Sequence, residues 1–206
     1  MASPAEGSHF HVMATGQIES GAFEGHSSLY CRYAFSFGDD WRVMRGVEEG
    51  ITQMASSSSA NGLAVWNFPI DLTFRSTCVH GWPQIVISVY GDDYFGRSDM
   101  ILGYGATHLP LTPGRHQLTI RTFRPLASSL LGRFQSWLNG MRPEFIESLF
   151  PAKGEGRDVT RVQSFGAVKL EIDVSMQGMD VLGYSVPAPP NAGIAVADPL
   201  GTLRNG

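Results

Sequence analysis

Apolar and polar positions alternate along several stretches of this chain, and the alternation predicts strands. From Leu29 to Phe37 (LYCRYAFSF), Leu29, Cys31, Tyr33, Phe35 and Phe37 share one side, with Tyr30, Arg32, Ala34 and Ser36 on the other. A period of two sets one face on a core, and Gly38-Asp39-Asp40 ends the run with turn residues. Gln84 to Tyr90 (QIVISVY) is the clearest strand, with Ile85, Ile87 and Val89 opposite Val86, Ser88 and Tyr90. Ala167 to Met176 repeats the pattern, placing Val168, Leu170, Ile172 and Val174 against Lys169, Glu171, Asp173 and Ser175. Further strands are predicted from Phe10 to Gly16, Val65 to Thr77, Ile101 to Leu111 and His116 to Phe123, with a weaker one from Gly50 to Ser56. Pro69 cannot donate to a ladder, so the Val65 strand is broken there, at an edge, or bulged. Thr112-Pro113-Gly114-Arg115 is a Pro-Gly turn that should close an antiparallel hairpin.

One stretch carries helical spacing. Leu130, Leu131, Phe134, Trp137 and Leu138 recur at i, i+1, i+4, i+7 and i+8, with Ser128 or Ser129 as N-cap and Gly140 past the C-terminus. About eight strands and one inserted short helix, without regular strand–helix alternation, favour an antiparallel β-sandwich over an α/β fold. Residues 1–8 read as a disordered N-terminus, 9–184 as one domain, and 185–206, rich in Pro, Gly and Ala, as a disordered tail.

Composition narrows the function classes. At 206 residues the chain suits one core. Its net charge of -4 gives no global pull toward nucleic acid. No apolar run is long enough for a transmembrane helix, and MASPAEGSHF lacks the basic and apolar regions of a secretory signal. Cys31 and Cys78 are therefore expected as reduced thiols of a cytosolic or cytosol-facing protein.

Two Trp-bearing landmarks, Trp66-Asn67-Phe68-Pro69 and Gly81-Trp82-Pro83-Gln84, mark the region from Trp66 to Gly105, which holds no nucleophile, metal or phosphate motif. Gly16-Gln17-Ile18-Glu19-Ser20 and Leu29-Tyr30-Cys31-Arg32-Tyr33 precede it. So does Val47-Glu48-Glu49-Gly50-Ile51. Gly103-Tyr104-Gly105-Ala106, Pro113-Gly114-Arg115-His116 and the run from Gly154 to Val162 (GEGRDVTRV) follow. In this order, over roughly residues 10 to 184, these blocks resemble the B9 domain, a divergent member of the C2-like sandwich family.

The resemblance implies a C2-like sandwich without catalysis or cofactor. It implies a scaffold subunit on the cytoplasmic side of the ciliary transition zone, at the basal body, that supports ciliogenesis and the membrane diffusion barrier. The implied partners are two other B9-domain proteins of the Meckel-syndrome complex and, indirectly, tectonic-type transmembrane proteins, with peripheral contact to the ciliary membrane. Arg157 and Arg161, inside the matching GEGRDVTRV run, become interaction candidates on the same ground.

Other chemistry is weaker. Asp39, Asp40, Asp92, Asp93 and Asp99 fall in expected loops, and Ca²⁺-binding C2-type sandwiches gather loop aspartates at one end. Six to eight oxygen ligands would be needed, so a Ca²⁺-dependent phospholipid-binding module is the alternative function. Adjacent aspartates are also ordinary turn chemistry, which outweighs that reading. His9 and His11 share a strand face, but structural Zn²⁺ usually takes four ligands. His80, His108 and His116 are scattered, with no Gly-x-Ser-x-Gly elbow, and GEGR lacks the length and Lys-Ser/Thr of a phosphate loop. The helical stripe, with Arg133 beside it, could meet a partner or anionic lipid, though packing on the sandwich is the plainer use. Trp41, Tyr94 and Phe95 sit at expected loop tips, where large aromatics either form interface hot spots or fold back on the core.

Overall fold

The computed structural model describes residues 9–57, 62–92, 100–125 and 162–186. Among them are ten strands: β1 (Phe10–Ala22), β2 (Ser28–Ser36), β3 (Arg42–Gly46), β4 (Glu49–Ile51), β5 (Ala55–Ser56), β6 (Leu63–Ser76), β7 (Gln84–Gly91), β8 (Met100–His108), β9 (Gly114–Pro125) and β10 (Val162–Gln177). All pair antiparallel. Their order is β3-β6-β1-β10-β9-β8-β7-β2-β4, with β5 also on β2. The predicted helix over 128–138, together with Asp93, Tyr94, Phe95, Asp99, Arg157, Arg161 and most of the tail, lies outside the described residues.

The sheet curls over on itself where β8 meets β9, which share one ladder pair, Tyr104 with Phe123. One layer is then β3-β6-β1-β10-β9, and the other is β8-β7-β2 with β4 and β5 at its side. Alternate side chains of both layers meet in one core. Val12, Leu72 and Ile172 come from the first layer, and Leu29, Cys31, Ile85 and Val89 from the second. Aromatic pairs bridge the gap, Phe35 to Phe74 at 5.8 Å and Tyr33 to Phe68 at 5.8 Å. Each fully buried side chain of this kind contributes about 1.5–3 kcal/mol of transfer free energy, which is why the strictly alternating stretches became strands. The expected antiparallel sandwich is therefore present, built from a single curled sheet.

Local departures have physical causes. β1 runs past Gly16 to Ala22 because Gly16 packs under the Glu171 carbonyl, where a Cβ would come within 2.1 Å. At Pro69 both the edge and the bulge expectations apply. β3 pairs with β6 only as far as Leu72, and the β1–β6 ladder slips between Ile18 and Ser20. Asn67 absorbs the slip with φ +45°, a left-handed conformation that asparagine tolerates better than most residues. The weak Gly50–Ser56 strand is divided into β4 and β5 around the buried Thr52. Thr52 turns inward, its N–H bonding the Cys31 carbonyl and its hydroxyl accepting from the Cys31 N–H, each at 2.9 Å.

Candidate interaction surface

Trp41 is a core residue, which corrects its placement among the interaction candidates. The β2–β3 turn folds back so that the indole is fully buried. It packs edge-on against Phe10 at 5.3 Å, Trp82 at 5.1 Å and Phe74 at 6.2 Å. Its Nε1 donates to the His80 carbonyl at 2.7 Å, satisfying the one polar atom that burial would otherwise leave unpaired. Trp82 Nε1 in turn donates to the Leu109 carbonyl at 3.0 Å, tying the β6–β7 turn to the end of β8. The other landmark works alike: Trp66 Nε1 donates to the Leu29 carbonyl at 3.1 Å, linking the two layers. The tryptophans that made the sequence recognisable build the sandwich.

Of the aspartate candidates, the three that are described, Asp39, Asp40 and Asp92, do not converge. Asp39 and Asp40 follow the C-terminal end of β2, whereas Asp92 follows β7, beside the N-terminal end of β2 where Leu29 pairs with Gly91. At about 3.3 Å per residue, the eight steps of β2 hold these groups about 26 Å apart. A single Ca²⁺ cradle drawing on both ends is excluded by that register. Asp92 instead acts as a latch. Its carboxylate accepts from the Ser27 hydroxyl, and from the Ser27 and Ser28 N–H groups at 3.2 Å each. His26 Nδ1 donates to its main-chain carbonyl at 2.7 Å. The Ser27 hydroxyl, aided by the serine N–H groups, holds the Asp92 carboxyl below the usual carboxylate range despite some desolvation.

Among the described residues His9 and His11 gather no further ligands. Among the described residues no group of three or more His, Cys, Asp or Glu is arranged to hold a metal ion. Cys31 lies fully buried and Cys78 half-buried in the turn after β6, both as free thiols. Burial pushes the Cys31 thiol up to about 12, against a lowering contribution from the Ser88 main chain.

Exposed apolar side chains concentrate elsewhere, in a segment where sequence patterning predicts only the weak Gly50–Ser56 strand. Residues 42–56 run along β6 as β3, cross the open side of the sandwich through Val47 and Glu48, and continue along β2 as β4 and β5. The Phe35 N–H donates to the Glu48 carbonyl at 2.8 Å, and Gln53 Nε2 reaches across to the Trp66 carbonyl at 2.6 Å. Among the described residues both β3 and β4 are edge strands. Met44 (54%), Val47 (64%), Ile51 (56%) and Met54 (60%) stand exposed along the segment, four of the nine large apolar side chains exposed among the described residues. Scattered single exposures would need no explanation, whereas these four fall within eleven consecutive residues along two sheet edges. The sequence signal was Val47-Glu48-Glu49-Gly50-Ile51, noticed only as part of the resemblance.

A family model described as ciliary basal body-associated B9 protein matches residues 12–175. B9 domain-containing protein 1 of Mus musculus is 52% identical over 181 residues, covering 87% of this chain and 88% of its own. The Homo sapiens protein of that name is 47% identical over 196 residues, covering 95% and 96%. B9 domain-containing protein 2 of Bos taurus is 33% identical over 172 residues, covering 84% and 97%. A solved structure of a C2 domain superposes with a TM-score of 0.31 at 11% identity, covering 81% of this chain and 97% of the other.

Proposed function

The chain belongs to the family of ciliary basal body-associated B9 proteins, and on that premise we propose that it is a non-enzymatic scaffold subunit of the ciliary transition-zone complex. In this reading it binds two other B9-domain proteins and, through them, tectonic-type transmembrane proteins. It works on the cytoplasmic side of the membrane, supporting ciliogenesis and the diffusion barrier at the cilium base. The observation that carries the proposal is the exposed apolar strip from Met44 to Met54 along two edge strands of the described sheet. The family landmarks Trp66 and Trp82 are spent on holding the sandwich together, which leaves that strip as the feature suited to gripping a neighbour. Methionines at 44 and 54 suit such a role, because an unbranched thioether adapts to an irregular partner.

Co-expression with a second B9-domain protein and gel filtration tests the proposal. A stable complex is expected, and Val47→Asp should weaken it while leaving the thermal midpoint near that of the parent chain. Two separate monomers, or a complex indifferent to Val47→Asp, would remove the basis for this reading.

A further inference from the structure

The outer face of the β8-β7-β2 layer is buried where a sandwich ordinarily meets water. Antiparallel sheets of this kind pack one face on the core and commonly leave the other to solvent. On β7, Ile85, Ile87 and Val89 belong to the core between the layers, so Val86, Ser88 and Tyr90 share the opposite face. On β8, Tyr104 pairs with Ser88 and Ile101 with Tyr90, which sets both on that same face. Val86 is nevertheless 2% exposed, Ser88 1% and Tyr104 0%, and Ile101 is buried as well. None of Val86, Ile101 and Tyr104 belongs to the contiguous core of the sandwich. They form a second apolar patch. On β2 it is flanked by the half-buried Ala34, opposite Val86, and by Tyr30, whose ring stacks on Tyr90 at 4.9 Å.

Burial this complete on a sheet face needs a cover, and no described element supplies it. The layer β3-β6-β1-β10-β9 meets these strands on their inner side. β4 and β5 extend the sheet sideways from β2, and the turn at Asp180–Leu182 packs Leu182 and Tyr184 on the main core. Residues 126–161 fit the role by position. They leave from Pro125 and return at Val162, which pair with each other, and β9 borders β8 where Phe123 pairs with Tyr104. Residues 1–8 leave from β1 in the other layer, and residues 58–61 are too few. Residues 93–99 follow Asp92, and five strand steps, about 17 Å, separate Gly91 from Val86. Residues 126–161 also fit by composition, since they carry Leu130, Leu131, Phe134, Trp137 and Leu138 at helical spacing. The segment beyond 186 offers only scattered apolar residues. We propose that residues 126–161 are seated on this outer face, with their apolar stripe against Val86, Ile101 and Tyr104. The stripe is thereby spent inside the molecule, and neither a membrane nor a partner subunit meets it. This seat does not involve the strip from Met44 to Met54, so the proposal and the scaffold reading stand or fall separately.

Thiol labelling of the full chain is the test. In a Cys78→Ser background, Ser88→Cys places a probe on the covered face, while the buried Cys31 reports on the main core. A charged disulfide reagent should modify the thiol at position 88 at least about a hundredfold more slowly than it modifies Cys78 in the parent chain. Adding F134D/W137D should raise that rate at least about tenfold with Cys31 still unreactive, whereas removing residues 187–206 should leave it unchanged. A thiol at position 88 that reacts as fast as Cys78 overturns the proposal, because the face is then open. Protection that survives F134D/W137D also overturns it, as does protection lost only with residues 187–206. If F134D/W137D exposes Cys31 too, the fold is lost and cross-linking decides. A benzophenone carried on Ala34→Cys, opposite Val86, should capture peptides from residues 126–161 of the same molecule. Capture of residues 187–206 alone, or of nothing, overturns the proposal.

Discussion

Gly81 stands so close to Gly38 that a Cβ on Gly81 would fall 2.4 Å from the Gly38 Cα. The Gly38 N–H donates to the Gly81 carbonyl at 2.9 Å, and the Trp41 N–H donates to the Gly38 carbonyl at 3.0 Å. Two turns that each cross between the layers, β2–β3 and β6–β7, are thereby joined backbone to backbone, and the Trp41 and Trp82 rings are delivered to the same end of the core. Gly81 also has φ +68°, so a side chain there meets both a left-handed backbone and its neighbour.

Gly81→Ala should therefore destabilise the chain by at least about 2 kcal/mol, combining the left-handed penalty with the contact it creates. For a domain of this size that lowers the melting temperature by roughly 4–8 °C. Gly25 is a useful control, since it has φ +81° but a Cβ there meets nothing within 4 Å. Scanning calorimetry on both alanine variants checks this, and an equal loss for the two would remove the close approach as a cause.

Strands with one face on the core were legible because burial forces a period of two, as from Leu29 to Phe35 and from Val168 to Val174. β3 was not, since Arg42-Val43-Met44-Arg45-Gly46 pairs on one side only and exposes most of its side chains. Trp41 was misplaced for another reason. Its neighbours Asp39 and Asp40 fit an exposed turn, whereas its direction is set by Phe10, Phe74 and Trp82, all distant in sequence. The aspartates illustrate the same limit, because register decides which end of a strand a turn occupies, and local residues do not encode it. The strip from Met44 to Met54 has no alternation to reveal it and becomes visible only as exposure on an edge.

Asp92 should make stability fall toward acid. Its folded carboxyl titrates lower than the unfolded one, so the unfolded chain binds the proton more readily. The stabilisation is fully present above the ordinary aspartate value near ~4, and it is lost as pH drops through the lower folded value. Asp92→Asn should cost about 1 kcal/mol at pH 7, as expected for weakened charge-assisted bonds to Ser27 and Ser28. The gap to the parent chain should close below a pH of about 4. Urea midpoints at neutral and acidic pH measure this, and a gap independent of pH counts against the latch.

Cys31 should be inert in the folded chain. Its thiol is fully buried and pushed up to about 12, so almost no thiolate exists near neutral pH. A charged disulfide reagent at neutral pH should modify one thiol per molecule, Cys78, and reach the second only after denaturant is added. Mass mapping of the labelled peptides identifies which cysteine reacted. Rapid double labelling without denaturant would mean that the layers part around β2.

Trp41 and Val47 should separate stability from binding. Trp41→Ala empties the end of the core, and loss of a buried tryptophan costs about 3–5 kcal/mol, a large share of the ~5–15 kcal/mol that holds an ordinary domain. Trp41→Phe keeps an aromatic ring near Phe10 and Phe74 but leaves the His80 carbonyl without the indole donor, so a smaller loss of about 1–2 kcal/mol is expected. Below their melting temperatures, both variants should bind a B9 partner with the affinity of the parent once the folded fraction is counted. Val47→Asp should do the reverse, keeping the melting temperature and losing the partner. Calorimetric melting beside titration binding on all three variants gives the comparison directly. If Trp41→Phe melts like the parent yet fails to bind, the indole belongs to the interface after all, and the β2–β3 turn must open to present it.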